Sequence, residues 1–344
     1  MLANILVSPG RLALQEIEVP QPGPGEALIR VKAALTCGTD LKAYLRGHPQ
    51  IPMPGPFGHE FSGVVEAVGL GVERFKPGDP IMSVHSAPCG SCFWCKQGQE
   101  NLCESIMESK VLGAYAEYVL VPAHIVTQNM FYKPEGLSFP EAAILEPLAC
   151  VVYGLKQVPV RHEASVLIIG AGAIGLLFLQ TLKARDVSQV ILAGRRGYRL
   201  KLGTELGAST VINVEKEDLQ ERVFDLTAGR GADMVIECTG KTAVWEESVG
   251  LARRGGHVLL FGGCPKGTRV SFDTARLHYD QITLHSTFHF DTAAVEEAYA
   301  MLREGLLSPG PLITDCFPLE RLEEVFSLLQ SGDCIKYAVI PKGD

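Results

Sequence analysis

The chain has no block of like charge, no low-complexity segment, no internal repeat and no long apolar run, and each absence closes a class of function. Clustered Lys and Arg would mark a nucleic-acid surface. Here 31 Lys+Arg face 39 Asp+Glu, a formal net charge of −8, so no nucleic-acid partner is expected. The longest apolar stretch near the start, Ile5–Val7, is far too short for a signal peptide or a membrane span, and no basic segment precedes it. No membrane partner is expected, and a cytoplasmic location is. At 344 residues, with 47% apolar and 20% charged, the composition is that of a globular chain of two ordinary domains or one large one.

Cysteine, by contrast, is plentiful and clustered. Cys89, Cys92, Cys95 and Cys103 fall within fifteen residues. Two gaps of two residues aim neighbouring thiolates at one centre, and Lys96–Leu102 is long enough to bring the fourth sulfur round to close a tetrahedron around zinc. Bacterial ferredoxin runs place three residues before a last Cys followed by Pro, whereas here Glu104 follows a longer gap. Disulfide pairing is the other reading of such a cluster, and it belongs to oxidising compartments. Four thiolates leave no open position, so a zinc held here is structural. The singly placed Cys150, Cys238, Cys264, Cys316 and Cys334 lie among apolar residues and read as core filler.

The first half of the chain shows short β-like runs, Ala27–Lys32, Phe61–Val68 and Ala116–Val121, broken by turn clusters such as Pro22-Gly23-Pro24-Gly25 and Lys76-Pro77-Gly78-Asp79. That texture predicts a mostly-β domain. From Ala164 apolar strands and helices alternate: strands at Val166–Gly170, Gln189–Ala193, Thr210–Val214, Met234–Cys238, His257–Phe261 and Ile282–Phe288, with helices at Ala173–Arg185, Tyr198–Leu206 and about Thr242–Arg253. A doubly wound parallel sheet is expected. The tail reads helix Thr292–Arg303, strand Leu312–Phe317, helix Leu319–Gln330 and strand Lys336–Ile340.

Between the first strand and first helix of the alternating region lies Gly170-Ala171-Gly172-Ala173-Ile174-Gly175. Gly170 permits the tight turn, Gly172 lets the backbone approach a pyrophosphate, and Gly175 allows close packing of helix on strand. At the end of the second strand NAD sites usually carry an acid that accepts from the ribose 2′-hydroxyl. This chain has Gly194 followed by Arg195 and Arg196, with Arg199 just beyond. An acid would repel a 2′-phosphate, whereas these guanidinium groups offer it forked donors, so NADP is the expected cofactor and NAD the alternative.

Three further motifs flank the cysteine cluster: Cys37-Gly38-Thr39-Asp40 and Gly58-His59-Glu60 before it, and Glu146-Pro147 after it. In this order, with Lys76-Pro77-Gly78-Asp79, the four cysteines, Glu141 through Leu148 and the glycine turn at Gly170–Gly175, the chain resembles the zinc-dependent medium-chain dehydrogenase/reductase family from end to end. Within it the likeness is to the sorbitol, threonine and related polyol dehydrogenases. The resemblance implies an α/β fold in two parts. A GroES-like β-rich catalytic domain would be formed by residues 1–154 and 290–344, and a Rossmann doubly wound parallel sheet by residues 155–289. It implies a catalytic zinc on Cys37, His59 and an acid, Glu60 or Glu146, with Thr39 passing on the substrate proton. A thiolate, an imidazole and a carboxylate leave a fourth position open, as a catalytic zinc needs.

Two zinc ions per chain, a small-molecule alcohol, polyol or carbonyl substrate and a homodimer or homotetramer follow from the same resemblance. The alternatives are an NAD-linked threonine or sorbitol dehydrogenase and a non-catalytic dinucleotide-binding zinc protein. One departure stands out: where several polyol and threonine relatives carry a His just beyond the catalytic Cys, this chain reads Asp40-Leu41-Lys42-Ala43-Tyr44. His48 is the substitute in a proton path, or else a plain loop residue. Thr39, Tyr44, Arg46 and His48 are compatible with a hydroxylated substrate.

Overall fold

Small and branched apolar residues fill Ala27–Leu35, and the segment forms a strand buried along most of its length, at the centre of a seven-stranded sheet. In the computed structural model, which describes residues 1–342, that sheet belongs to the first of two units: Met1–Ala149 together with the segment from Phe290 onward. The second unit is Cys150–His289.

In the first unit Ala27–Leu35 pairs antiparallel with Glu60–Val68 on one side, and with both Tyr118–Val121 and Lys336–Ile340 on the other. Pro80–Ser83 and Met130–Tyr132 extend the sheet beyond Glu60–Val68, and Ile313–Pro318 lies parallel to Lys336–Ile340. The register brings functional residues to one end of the sheet. Leu35 faces Glu60, Phe61 faces Ser83, and Ala338 faces Leu35, so the segments around Cys37, His59, His85 and Lys336 converge there. Gly58 leads the chain into His59 at φ 91°, and a Cβ on it would lie 2.7 Å from the Tyr115 ring. No other residue fits that approach without displacing the ring.

Beneath this end Phe57, Phe61, Tyr115 and Phe326 are fully buried. Tyr44 joins them, stacked on Phe326 with ring centroids 5.3 Å apart. Tyr44, compatible by residue type with a hydroxylated substrate, has its ring in this core.

The second unit holds a six-stranded parallel sheet in the order Thr210–Asn213, Gln189–Gly194, Ser165–Ile169, Ala232–Glu237, Ala252–Leu260, Thr283–Ser286. Its central strands Gln189–Gly194, Ser165–Ile169 and Ala232–Glu237 are largely apolar and buried, as strands of a parallel sheet covered on both faces must be. The order reverses at Ser165–Ile169, which makes the carboxyl ends of the strands there the expected ligand crevice. One strand begins five residues earlier than its apolar run suggests. Ala252 pairs with Ala232, the register slips, and pairing resumes at His257 with Met234, leaving Arg253–Gly256 as a bulge in which Gly255 takes φ 67°.

Near the end of the chain, the segment expected as one helix from Leu319 is a 3-10 turn, Leu319–Arg321, followed by the helix Leu322–Ser331. Asn4 Nδ2 donates to the Leu319 carbonyl at 2.9 Å, which takes that oxygen out of a regular helix. The core-filler reading of the single cysteines holds for Cys334, which is fully buried, but Cys316 is exposed on its strand and Cys150, Cys238 and Cys264 are half-buried. No helix among the described residues is long and apolar enough to cross a membrane.

Candidate functional site

Cys37 stands two residues beyond the central strand and caps the helix Gly38–Arg46, its Sγ accepting from the Thr39 amide at 3.4 Å. Cys37 Sγ, a His59 ring nitrogen and a Glu60 carboxylate oxygen all lie within 4.8 Å of one another. Cys37 is half-buried, and His59 and Glu60 are buried. A soft thiolate, an imidazole and a carboxylate in so small a space form a donor set suited to zinc, with one position left over.

The surrounding residues orient these three. Asp40 is fully buried; its Oδ1 lies 3.0 Å from His59 Nδ1, and its Oδ2 accepts from the Tyr115 hydroxyl at 2.8 Å. With Nδ1 turned to Asp40, Nε2 is the nitrogen expected to serve as a ligand. Burial pulls the His59 pKa down, but the charges of Asp40 and Cys37 outweigh it and hold it well above the ordinary histidine value. The pocket therefore favours positive charge.

Glu60 receives the Lys336 ammonium at 2.7 and 2.5 Å on its two oxygens, with both residues buried. The same ammonium donates to the Thr36 carbonyl at 2.8 Å, and the Tyr337 amide donates to Thr36 Oγ1 at 2.9 Å, which pins Lys336 beside the central strand. Burial pushes Glu60 up, Lys336 pulls it back and Glu146 adds to the rise, leaving it at about 7. Glu146, in the first turn of the helix Leu145–Lys156, is also buried, and its Oε1 lies 3.4 Å from His85 Nδ1. It stands outside the group formed by Cys37, His59 and Glu60. The His85 ring sits edge-on to His59, centroids 5.1 Å apart, and edge-on to Phe290 at 5.9 Å. Thr39 is half-buried in the first helical turn, Arg46 is exposed, and His48 accepts from the Gln50 amide at 3.3 Å.

The four lobe sulfurs, of Cys89, Cys92, Cys95 and Cys103, also lie within 4.8 Å of one another. Cys92 Sγ and Cys95 Sγ are 3.5 Å apart, far beyond a disulfide bond of about 2.05 Å. Amides of Ser91 and Cys92 donate to Cys89 Sγ at 3.5 and 3.4 Å, and the Ser91 hydroxyl adds a third contact. These donors lower Cys89 to about 5, whereas burial and the neighbouring thiols push Cys95 up to about 12. Thiolates that resist forming beside one another are stabilised together by a dication.

In the second unit a cavity of about 580 Å³ opens at the carboxyl ends of the strands, lined by Gly170, Gly172, Gly194, Arg195, Arg196 and Arg199 among others. Gly170 takes φ 117°, and a Cβ on Gly175 would lie 2.0 Å from the Gly170 carbonyl. Only glycine allows the helix Ala173–Ala184 to pack this closely on the turn. Gly172 is open except for Arg199, whose guanidinium would be 3.8 Å from a Cβ there. Ala173 and Ile174 form the first turn of the helix and do not line the cavity; Gly175 is buried beneath it. The cavity fits a dinucleotide: a bare glycine turn at a helix N-terminus for the pyrophosphate, with guanidinium groups in the same lining.

Comparison with known proteins identifies this arrangement. Residues 23–131 match the alcohol dehydrogenase GroES-like domain, and residues 173–304 match the zinc-binding dehydrogenase domain. The chain is 34% identical over 338 residues to L-threonine 3-dehydrogenase of Bacillus subtilis, covering 95% of this chain and 94% of that protein. It belongs to the zinc-dependent medium-chain dehydrogenases of the alcohol dehydrogenase family. Among solved structures, a zinc-binding dehydrogenase from Sinorhizobium meliloti bound to NADP superposes with a TM-score of 0.91 at 29% identity, covering 99% of each chain. An alcohol dehydrogenase from Escherichia coli in complex with NADH gives 0.88 at 29% identity, again over 99% of each. The family is an oxidoreductase family with a nicotinamide cofactor.

Several residues of this dehydrogenase escaped the sequence reading. His85 had a signal, a histidine four residues before the first lobe cysteine, but nothing in the linear chain ties it to His59 or Glu146. Asp40 lay within the quoted Cys37 motif without a role. Lys336 had no local signal, since it meets Glu60 across 276 positions of sequence. Cys238, Thr239 and Lys241 line the dinucleotide cavity from the loop after Ala232–Glu237, where the fold rather than a motif places them.

Proposed function

We propose that the chain transfers hydride between a secondary alcohol, polyol or sugar-like substrate and a nicotinamide cofactor, with NADP(H) preferred over NAD(H). The observation that carries the catalytic part is the buried convergence of Cys37, His59 and Glu60 within 4.8 Å. Cys37, His59 and Glu60 would hold a catalytic zinc, with Glu146 the alternative carboxylate, and Cys89, Cys92, Cys95 and Cys103 a structural one. When bound, the catalytic ion supplies a Lewis acid that lowers the pKa of a hydroxyl in its open position. Asp40 orients the His59 ring, and Lys336 pulls the Glu60 pKa back down against the rise that burial causes. Thr39, two residues beyond Cys37, offers the hydroxyl that takes the substrate proton outward.

The cofactor preference rests on Arg195 and Arg196, more than on the missing acid. A Cβ on Gly194 would lie 2.9 Å from the Ala171 Cβ, so packing alone accounts for a glycine there. One charge-assisted contact to a 2′-phosphate contributes about 1.5–3 kcal/mol, or roughly 10- to 100-fold in affinity. Arg195→Ala/Arg196→Ala is therefore expected to lower kcat/KM for NADP by roughly that factor and to leave NAD nearly unchanged. Steady-state kinetics with both cofactors over a panel of polyols, sugars, amino alcohols and simple alcohols test the reading. A wild-type preference for NAD overturns the cofactor assignment, and one zinc per chain with an active Cys37→Ser variant overturns the catalytic centre.

A further inference from the structure

Lys110 is half-buried, its charge acts on His85, whose ring stands against that of His59, and among the described residues no carboxylate pairs with it. Among the described residues its Nζ donates to the Gln50 carbonyl alone. Two contacts fix its place. Next to it in the chain, the Val111 amide donates to the His85 carbonyl at 2.7 Å, and the His85 ring stands 5.1 Å from His59. On the other side, the Gln50 amide donates to His48 Nδ1 at 3.3 Å within the turn His48–Ile51. The ammonium thus ties the segment carrying His85 to the turn carrying His48. Its charge acts on both histidines, and so does that of His59. Burial lowers the pKa of Lys110, and no counter-charge offsets it.

A cation partly stripped of water and left without a counter-ion is unfavourable, and an arriving anion would relieve it. We propose that Lys110 binds an anionic oxygen of the substrate, so that the alcohol oxidised by this enzyme also carries a carboxylate or phosphate group. The proposal rests on Cys37, His59 and Glu60 being the reacting centre. A lysine suits the task, because it is a point charge with three donors, of which Gln50 uses one. In the reaction the carbinol carbon gives up hydride to the nicotinamide, the hydroxyl gives up its proton, and a C=O bond forms. The anionic group is unchanged throughout. Lys110 therefore acts on specificity and makes or breaks no bond.

The test uses matched pairs with the zinc-loaded enzyme and its preferred cofactor: 3-hydroxybutanoate against 3-hydroxybutanamide, and glycerol 3-phosphate against glycerol. The wild type is expected to favour the anionic member of at least one pair by roughly tenfold or more in kcat/KM. Lys110→Met should abolish that preference through KM, leaving kcat and the neutral substrates nearly unchanged, and Lys110→Arg should retain it. Whichever pair shows the preference tells carboxylate from phosphate. Equal use of charged and neutral members by the wild type overturns the proposal. So does a Lys110→Met variant that loses both alike, since the ammonium would then serve only to hold the Gln50 turn. Failure to oxidise any secondary alcohol, charged or neutral, instead overturns the substrate reading beneath the proposal, and the proposal with it.

Discussion

Burying the Glu60 carboxylate costs several kcal/mol of solvation, and the group that compensates it most closely is the Lys336 ammonium at 2.5 and 2.7 Å. Removing that ammonium forces the buried carboxyl either to stay charged without a partner or to take up a proton against the solvent pH. Lys336→Met is therefore expected to lower the unfolding free energy of the metal-free protein by about 3–5 kcal/mol. Lys336→Met/Glu60→Gln should recover most of the loss, because a neutral amide needs no counter-charge. Urea unfolding of the four proteins in this cycle measures the coupling, and strictly additive losses would show that the two groups do not act as a pair. At this scale the sequence was informative about ligands and silent about what holds them. Cys37, His59 and Glu60 announce themselves by residue type within short motifs, since metal chemistry needs soft and imidazole donors. Their supports do not. Lys336 and His85 are ordinary residues until strand register sets them beside Glu60 and His59, and Tyr44, polar by its hydroxyl, is claimed by the ring of Phe326.

One carboxylate of the lobe reaches a helix distant in sequence. Glu100, in the short turn Glu100–Leu102, accepts from the Thr292 amide at 3.0 Å and from its hydroxyl at 2.5 Å, so it caps the helix Thr292–Arg303 from across the sequence. Losing the lobe metal should loosen that helix as well as the lobe. Cys95→Ser is expected to raise amide hydrogen exchange in residues 292–303, and Glu100→Gln to raise it there while leaving exchange in the lobe close to the wild type. Exchange in that helix unchanged by both substitutions would show that the clasp carries no load. Element type was largely readable, because parallel strands covered on both faces must be apolar throughout and helices cannot be. Element edges were less so. The bulge at Arg253–Gly256 is set by pairing with Ala232, and the break at Leu319–Arg321 accompanies a carbonyl engaged by Asn4, and neither partner is local.

Stability of the whole chain against acid depends on which histidines the fold keeps neutral. His257 Nδ1 and His285 Nε2 lie 3.1 Å apart on adjacent strands, a separation that admits one shared proton and disfavours two charges. Burial lowers both pKa values; Arg253 and Arg161 lower His257 further, and His257 does the same to His285. The unfolded chain therefore binds more protons than the folded one below the ordinary histidine value of about 6.5. The stability these two contribute is present above that pH and is lost as pH falls through it toward their lowered folded values. Glu60, raised to about 7, and His59, raised well above its ordinary value, act in the opposite sense: folding favours their protonated forms, so their contribution declines as pH rises. Comparison with a variant cancels both of those effects. Between pH 7.5 and 5.5 the urea midpoint of the wild type should fall further than that of His257→Asn/His285→Asn, whose amides do not titrate. Parallel pH profiles for the two proteins would mean that this pair is solvated well enough in the folded chain to take up its protons at no cost.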